Sequence, residues 1–249
     1  MSSLRKAWIP VLCILTVLGT GCASSPEYDV VLLNGTVVDG TGVAGYPADV
    51  AIKGDRIARI GELDPADGER VIDASGLVVA PGFIDMMGQS EFRVLRDGRA
   101  QSKVHQGITM EVTGEGGSVA PVEGPALDVV RRELAESGDS LSWSTLDGYF
   151  QRLTRQEVSI NIGTFVGAAS VRTSVIGYDD RPPSPEELRR MEELVREAME
   201  DGALGLSTAL VYPPGFFAST DELVALARVA SEYGGIYATH MRSESNGIF

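Results

Sequence analysis

Few side chains in this 249-residue chain are suited to acid–base or metal chemistry. It has two histidines, His105 and His240, and the second ends an apolar run, 236–240, that has the composition of a β-strand. Glu115 lies in a glycine-rich segment, 114–117, directly after another apolar run. Imidazole nitrogen and carboxylate oxygen both bind zinc well. A buried structural histidine and a solvated loop glutamate are the alternatives.

Other kinds of site have little support in the sequence. Gly-x-Ser-x-Gly is absent, which argues against a Ser/His/Asp nucleophile. The glycines around Glu115 lack the spacing of a phosphate-binding loop. His105 lies in a predicted helix, 100–106, away from any strand end, and is interpreted as a surface or helix-terminal residue. The formal net charge of −14 argues against nucleic-acid binding.

Strands and helices must position these residues, and the sequence predicts that the two alternate after residue 80. Strand-like and helical stretches follow one another from 81 to 249, which is typical of a parallel β/α barrel. Strands are predicted at 82–85, 108–113, 159–166, 203–207 and 236–240. A closed barrel needs eight strands, so the pattern predicts five β/α units of an incomplete TIM-like barrel. We therefore expect an N-terminal fragment of a longer protein.

Capping residues support two of the predicted helices. Ser184 and Glu187 flank a proline and predict a capping box followed by an apolar helix face. Ser219 and Glu222 predict the same arrangement for the next helix. Two further helices are predicted at 126–136 and 143–153.

Residues 28–80 are predicted to form part of a small β-sandwich. Short apolar runs rich in β-forming residues alternate there with residue pairs that contain a glycine. Among these are Asn34-Gly35 and Gly54-Asp55, which are both typical of tight turns. The fold class is therefore α/β, with a β-sandwich segment that precedes the barrel.

Five motifs resemble the amidohydrolase superfamily. Three lie before the barrel or at its start: D-V-V-L-L-N-G-T-V-V-D-G-T-G at 29–42, A-D-V-A-I-K-G-D-R-I-A-R-I-G at 48–61 and V-I-D-A-S-G-L-V-V-A-P-G-F-I-D at 71–85. Two more, G-A-L-G-L-S-T-A-L-V-Y-P-P-G-F-F-A at 202–218 and Y-A-T-H-M-R-S-E at 237–244, are similar to the N-acyl-D-amino-acid deacylase (D-aminoacylase) branch. The resemblance implies a metal-dependent hydrolase of amide C–N bonds that acts on N-acyl amino acids.

The resemblance also implies an atypical metal site. In the family, a His-x-His pair ends the first barrel strand, and the second strand leads into Asn-Cys-Gly. The matching positions here are Met87, Gln89 and Gly116, none of which is a good zinc ligand. His240 matches a zinc-binding histidine of the family, and Glu115, beside the replaced cysteine, is a candidate substitute ligand. One divalent ion, zinc, is therefore expected.

Substrate contacts are implied by the same resemblance. Ser207 and Tyr212 lie in a segment that helps bind the substrate in the family, although Tyr212 would also suit packing of the loop. Arg242 would suit a bidentate ion pair with a substrate carboxylate. The alternative is an ion pair that holds an acidic loop residue in place. Gln89 would hydrogen-bond a substrate where the family has a histidine, and Asp85 is expected to be mainly structural. The catalytic base, an aspartate after the eighth strand in the family, is expected beyond residue 249.

Residues 1–22 have the order of an export signal. Arg5 and Lys6 precede an apolar run, 7–18, and small residues lead to Cys22. Cys22, followed by a linker at 23–27, resembles a bacterial lipoprotein junction in which the cysteine is lipidated; a plain secretory signal is the alternative. We expect an exported protein of the cell envelope with a lipid anchor in the membrane.

Two functions remain open from the sequence. The first is a metal-dependent amide hydrolase most like N-acyl-D-amino-acid deacylase. The alternative is a catalytically degenerate barrel lipoprotein that binds a small molecule or a partner after losing its metal. Loss of the two first-strand histidines and the cysteine is what such decay would produce.

Overall fold

The computed structural model of the chain describes residues 25–136 and 138–245. The chain divides into two compact units between Pro81 and Gly82. The predicted signal segment, 1–22, with its lipidation site Cys22, lies outside the described residues. Across the described ranges, no helix is long and apolar enough to cross a membrane.

One five-stranded sheet forms the first unit. Its strands are β1 (Tyr28–Val37), β2 (Tyr46–Lys53), β3 (Arg56–Gly61), β4 (Gly68–Asp73) and β5 (Val78–Val79). The order is β3-β2-β1-β4, and β5 also pairs with β1. The β1–β2 and β2–β3 pairs are antiparallel, whereas β4 and β5 run parallel to β1. A second layer of the predicted sandwich is not among the residues that the structure describes.

The turn predicted at Asn34-Gly35 was wrong. β1 continues through this pair, and its register with β2 shifts between Leu32 and Gly35. Asn34 has a left-handed backbone with φ of 63°. Its backbone N–H donates to Asp49 at 2.8 Å, and its side-chain amide donates to Asp73 at 3.0 Å. A β-bulge held by two distant carboxylates therefore replaces the turn.

Strands and helices alternate in the second unit, as predicted. In chain order they are β6 (Phe83–Asp85), α1 (Gln101–Val104), β7 (Ile108–Thr113), α2 (Ala126–Glu136), α3 (Leu146–Gln156), β8 (Asn161–Thr164), β9 (Val166–Gly167), α4 (Ala168–Val175), α5 (Pro185–Glu200), β10 (Gly205–Ala209), α6 (Thr220–Glu232) and β11 (Ile236–His240).

The strand pairs of this unit are all parallel. β6 pairs with β7, β7 with β8, β9 with β10 and β10 with β11. Only Phe165 separates β8 from β9, and its N–H donates to the Thr113 carbonyl at 3.0 Å. β8 and β9 are thus two halves of one strand that pairs first with β7 and then with β10. Five strand positions follow chain order, and their carboxyl ends lie at one edge.

Some helix boundaries differ from the prediction because a capping residue sets where the helix begins. α3 begins at Leu146 because Thr145 caps it with its side-chain oxygen. Trp143, predicted to be helical, instead donates its indole N–H to the Val119 carbonyl at 2.9 Å. The helix predicted at 100–106 is a single turn, α1, and α4 was not predicted because its β-branched residues are weak helix formers.

The core of the second unit lies between its strands and helices. Leu206 of β10 is buried with Met191 and Leu194 of α5 and Leu226 of α6. Burial of such aliphatic side chains contributes about 1.5–3 kcal/mol each. The predicted capping box that begins α5 is present, since the Ser184 and Glu187 side chains each accept the other residue's backbone N–H. The predicted apolar face of α5 comprised Leu188, Met191, Val195 and Ala198; the last three are buried and Leu188 is half-buried.

The reciprocal cap predicted for α6 was wrong in its second half. Ser219 accepts the Glu222 N–H at 3.2 Å, but the Glu222 carboxylate turns away and accepts from Arg172 at 2.7 Å. Both partners are buried. Arg172 also donates to the carbonyls of Asp179 at 3.0 Å and Arg181 at 2.6 Å. A buried guanidinium needs a carboxylate partner, and this requirement outweighs the cap.

Replacement of Arg172 by Met should lower the free energy of unfolding by about 3–5 kcal/mol, because Glu222 is then left buried without its partner. Urea denaturation followed by circular dichroism measures the change. Arg131→Met is the control, since Arg131 forms an exposed pair with Asp128 and its loss should cost no more than about 0.5 kcal/mol. Equal urea midpoints for the two variants would contradict a stabilising buried pair.

Candidate functional site

The two predicted metal-binding residues lie side by side. His240 ends β11 and Glu115 follows β7, so both stand at the carboxyl edge of the parallel strands. The His240 Nδ1 is 3.5 Å from the Glu115 Oε1, and its Nε2 is 3.0 Å from the Glu244 carboxylate. The Tyr212 ring meets the imidazole edge-on, with ring centres 5.9 Å apart.

A tight turn at residues 114–116 presents Glu115. Gly114 and Gly116 both have left-handed backbones, with φ of 89° and 70°. The Ser207 hydroxyl of β10 accepts the Gly116 N–H at 3.0 Å and donates to the Gly114 carbonyl. Ser207 is only 1% exposed. The structure thus places Ser207 beneath the loop as a support for Glu115, and its predicted contact with substrate remains a prediction.

Position 116 has no room for a side chain. A Cβ built on Gly116 would lie 2.4 Å from the Ala209 Cβ and 2.6 Å from the Ala209 backbone nitrogen. Contacts below 3.0 Å with backbone atoms require the strand to move. The cysteine that the family resemblance places here therefore does not fit this backbone.

Gln89 and Met87 occupy the positions of the absent histidines. The Gln89 amide donates to the Glu115 Oε2 at 3.3 Å, which leaves the other carboxylate oxygen facing His240. Met87 lines a small cavity of about 90 Å³ together with Glu115, Ser207 and His240. At these three positions the chain therefore has a thioether, an amide and a glycine where two imidazoles and a thiolate are expected.

A buried charge cluster lies behind the 86–90 loop. The Lys103 ammonium is 2.5 Å from Asp85 and 3.4 Å from Glu111. Asp85 also accepts the Met87 N–H at 3.2 Å, and Glu111 accepts the Ser90 N–H at 3.1 Å. Because the two carboxylates hold both ends of the loop, the cluster fixes the segment that carries Gln89.

The electrostatics of the cluster favour its ion pairs. The hydrogen bond from Lys103 lowers the pKa of Asp85. Burial alone would lower the pKa of Lys103, but its hydrogen bond to Asp85 and the charges of Glu111 and Asp85 raise it. Glu111 is fully buried, and a Cβ on Gly88 would lie 2.0 Å from its carboxylate. Only glycine fits at position 88.

Sequence reasoning missed Lys103 and Glu111. A single signal was available, since Glu111 is a charged residue inside an otherwise strand-like run. Such a residue needs a buried partner. The partner lies in the preceding one-turn helix, and no periodic pattern identifies it. Asp85, expected to be structural, belongs to this cluster.

Arg242 has a local role in the structure. It donates to the Phe216 carbonyl and, at 2.9 Å, to the Ala218 carbonyl. Its guanidinium also lies 5.6 Å from the centre of the Phe216 ring. These contacts hold the short helical turn Gly215–Phe217. The predicted pair with a substrate carboxylate remains a prediction, and it would compete with this turn.

A larger pocket of about 550 Å³ adjoins the site. Gln89, Glu115 and Tyr212 line it, and Tyr212 is 61% exposed. The predicted substrate contacts Gln89 and Tyr212 therefore face a cavity large enough for a small molecule. His105 is remote from it and meets the Gln101 side chain at 3.1 Å on the helix surface, as predicted.

The residues at the site fit one divalent cation in part. Zinc with ligand bonds of about 2.0–2.1 Å in tetrahedral geometry separates two ligand atoms by roughly 3.3 Å, close to the 3.5 Å between His240 and Glu115. Glu244 on the opposite nitrogen is the kind of carboxylate that orients a metal-binding imidazole. In residues 25–136 and 138–245, however, no three His, Cys, Asp or Glu side chains form a metal-binding group. Met87 and Gly116 supply no donors for a second ion.

Lys103→Met should destabilise the protein by about 2–3 kcal/mol, because Asp85 and the buried Glu111 lose their shared cation. Hydrogen exchange at the Met87 and Ser90 amides should rise, since both donate to those carboxylates. Urea denaturation and hydrogen-exchange mass spectrometry measure the two effects. Lys53→Met, at the exposed end of β2, is the control. Unchanged protection of the 86–90 loop would contradict the assigned role.

Comparison with curated proteins identifies relatives over most of the chain. No protein-family model matches. D-aminoacylase of Alcaligenes xylosoxydans xylosoxydans is 38% identical over 227 residues, which cover 91% of this chain and 47% of the relative. N-acyl-D-glutamate deacylase of the same organism is 39% identical over 225 residues, 89% of this chain and 45% of the relative. The chain thus spans about half the length of the curated relatives it matches.

Solved structures agree with these relatives. N-acyl-D-glutamate deacylase from Bordetella bronchiseptica, in complex with zinc and a phosphonate mimic of the tetrahedral intermediate, superposes with a TM-score of 0.81 at 36% identity. It is matched over 89% of this chain and 47% of its own. A D-aminoacylase structure that defines a subset of amidohydrolases gives 0.80 at 36% identity, with the same coverage. Another D-aminoacylase structure, with a TM-score of 0.81, concerns a binuclear metal centre.

Sequence and structure therefore agree over nine tenths of the chain with one group of enzymes. The parallel strands in chain order and the residues at their carboxyl edge are in keeping with that relationship. The chain belongs to the amidohydrolase superfamily, in the branch of D-aminoacylase and N-acyl-D-glutamate deacylase.

Proposed function

We propose that this chain is part of a metal-dependent deacylase that hydrolyses the amide bond of N-acyl-D-amino acids. The observation that carries the proposal is the opposed pair of His240 and Glu115 at the carboxyl edge of the strands. Catalytic residues of β/α barrels lie at this edge. The relatives named D-aminoacylase and N-acyl-D-glutamate deacylase support the substrate class.

We also propose a finer architecture for the two units. The five strand positions of the second unit would be the first five of a TIM-like β/α barrel, because they are parallel and ordered along the chain. The sheet of the first unit would be one part of a small β-sandwich. Exposed apolar side chains on this sheet support a further layer; they include Ile57 at 65% and Val78 at 64%.

Each residue of the site has a role in this chemistry. A divalent cation held by His240 and Glu115 would polarise the scissile carbonyl and lower the pKa of a bound water. With its proton on Nε2, beside Glu244, His240 would present Nδ1 to a cation that Glu115 also binds. Gln89 orients the Glu115 carboxylate by holding its second oxygen. Tyr212 stands between the imidazole and the larger pocket, where it would contact the bound amide.

One observation favours the alternative function. His240 and Glu115 do not form a three-ligand group with any other described His, Cys, Asp or Glu. A barrel that had lost its metal would bind a small molecule in the same pocket without hydrolysing it. The metal content of the purified protein separates the two functions.

About one zinc ion per chain should remain after dialysis, because one imidazole and one carboxylate face each other at 3.5 Å. His240→Ala should remove the zinc, and Glu115→Gln should weaken its binding by at least about tenfold. Plasma mass spectrometry and zinc titration measure both. His105→Ala, which changes the other histidine of the chain, is the control.

Release of free amino acid from N-acetyl-D-amino acids tests the activity itself. Turnover by the complete protein should follow zinc content across the His240, Glu115 and His105 variants, whereas residues 1–249 alone, without the expected catalytic base, should be inactive. A protein that holds no zinc and releases no amino acid, yet binds N-acyl amino acids, would support the degenerate binding protein instead.

We further propose that the protein is exported and lipid-anchored through Cys22. The order of charged, apolar and small residues before Cys22 supports this proposal. Radioactive palmitate fed to a bacterial expression host should label the protein, and Cys22→Ala should abolish the label. Cys13→Ala is the matched control, because Cys13 lies inside the proposed signal. Labelling that persists in Cys22→Ala would contradict the anchor.

A further inference from the structure

The larger pocket is directly continuous with the proposed reaction site. Glu115 lines both the 90 Å³ cavity beside His240 and the pocket of about 550 Å³. Ligand pockets in proteins usually measure about 300–1,000 Å³, so this volume suits a sizeable substrate group. An acetyl group would leave most of it empty.

The serine and threonine hydroxyl groups that line the pocket already donate within the protein. Ser118 donates to the Ala120 carbonyl, Ser170 donates to the Ser118 carbonyl at 3.0 Å, and Thr173 donates to the Ala169 carbonyl at 2.7 Å. The Gln89 amide is likewise bound to Glu115. A bound group would therefore find these four side chains already engaged.

The opposite wall is apolar. Val129 and Val130 of α2 line the pocket together with Phe92, Tyr178 and Pro214. Tyr178 is 56% exposed and Val129 is 36% exposed. Apolar side chains that remain exposed around a cavity indicate a surface that binds an apolar group.

The charges of the pocket decide which end of the substrate it can take. Three carboxylates, those of Glu91, Glu115 and Glu133, line it together with one guanidinium, that of Arg93, so the lining carries more negative than positive groups. Burial, together with the charges of Glu111 and Glu133, raises the pKa of Glu91, although the charge of Arg93 opposes this effect. An amino-acid carboxylate placed beside these acids would be repelled. The uncharged acyl end of an N-acyl amino acid would not be repelled.

We propose that this pocket binds the acyl group of the substrate and selects long or bulky uncharged acyl groups over acetyl. The proposal rests on the proposed deacylase function and specifies its substrate class. The acyl carbon would lie beside Glu115 and His240, and the acyl chain would extend along α2 towards Val129.

A series of N-acetyl-, N-octanoyl- and N-lauroyl-D-leucine tests the proposal. The kcat/KM of the complete wild-type protein should be higher for octanoyl than for acetyl by at least about tenfold, because added methylenes are buried in the pocket. Val129→Trp fills the pocket from the α2 surface and should reduce the octanoyl-to-acetyl ratio of kcat/KM by about tenfold. Val224→Trp, at a 49% exposed valine of α6 outside the pocket lining, should keep the ratio. An acetyl preference, or a ratio that Val129→Trp leaves unchanged, overturns the assignment.

Octanamide binding, measured by titration calorimetry, separates this proposal from the proposed function, because this probe has the same chain without a charged carboxylate. If the wild type and Val224→Trp bind octanamide, Val129→Trp does not, and no N-acyl amino acid is hydrolysed, the deacylase function fails and the apolar pocket stands. If octanamide does not bind and longer acyl groups are not preferred, the pocket assignment fails even where acetyl substrates are hydrolysed.

Discussion

The position of Glu115 depends on the hydroxyl of Ser207. That hydroxyl joins β10 to both ends of the turn that follows β7, because it accepts from Gly116 and donates to Gly114. The turn needs two left-handed glycines, and a free loop would leave that conformation readily. A buried bond to a neighbouring strand holds it and directs the carboxylate towards His240. Glu115 lines both the small cavity and the larger pocket, so the shape of both depends on the hydrogen bonds of Ser207.

A second support reaches Glu115 from the loop that follows β6. Lys103 forms ion pairs with Asp85 and Glu111, and these carboxylates hold the backbone on either side of Gln89. Gln89 then holds one oxygen of Glu115. A site whose ligands are fixed by packed neighbours binds an ion with less loss of entropy than one on a mobile loop. Three separate chain segments therefore determine one carboxylate orientation.

The sequence was sufficient for features that depend on local pattern. β7 and β11 were predicted from apolar runs, and the meeting of His240 with the residue after β7 followed because parallel strands end at one edge. Features that depend on partners distant in the chain could not be predicted from the sequence. Asn34 forms a bulge because carboxylates 15 and 39 residues away accept its N–H groups. Ser207 was assigned to substrate because nothing local shows that its hydroxyl is already occupied by a loop 91 residues earlier.

Gly116 limits which substitutions the chain can accept at that position. A thiol at that position would need a left-handed backbone and space now filled by the backbone of Ala209. A single substitution to cysteine would distort the turn before it provided a metal ligand, so selection would disfavour the intermediate. Introduction of a thiol ligand here would require coordinated changes at position 116 and in β10. The glycine is therefore difficult to replace by a single mutation.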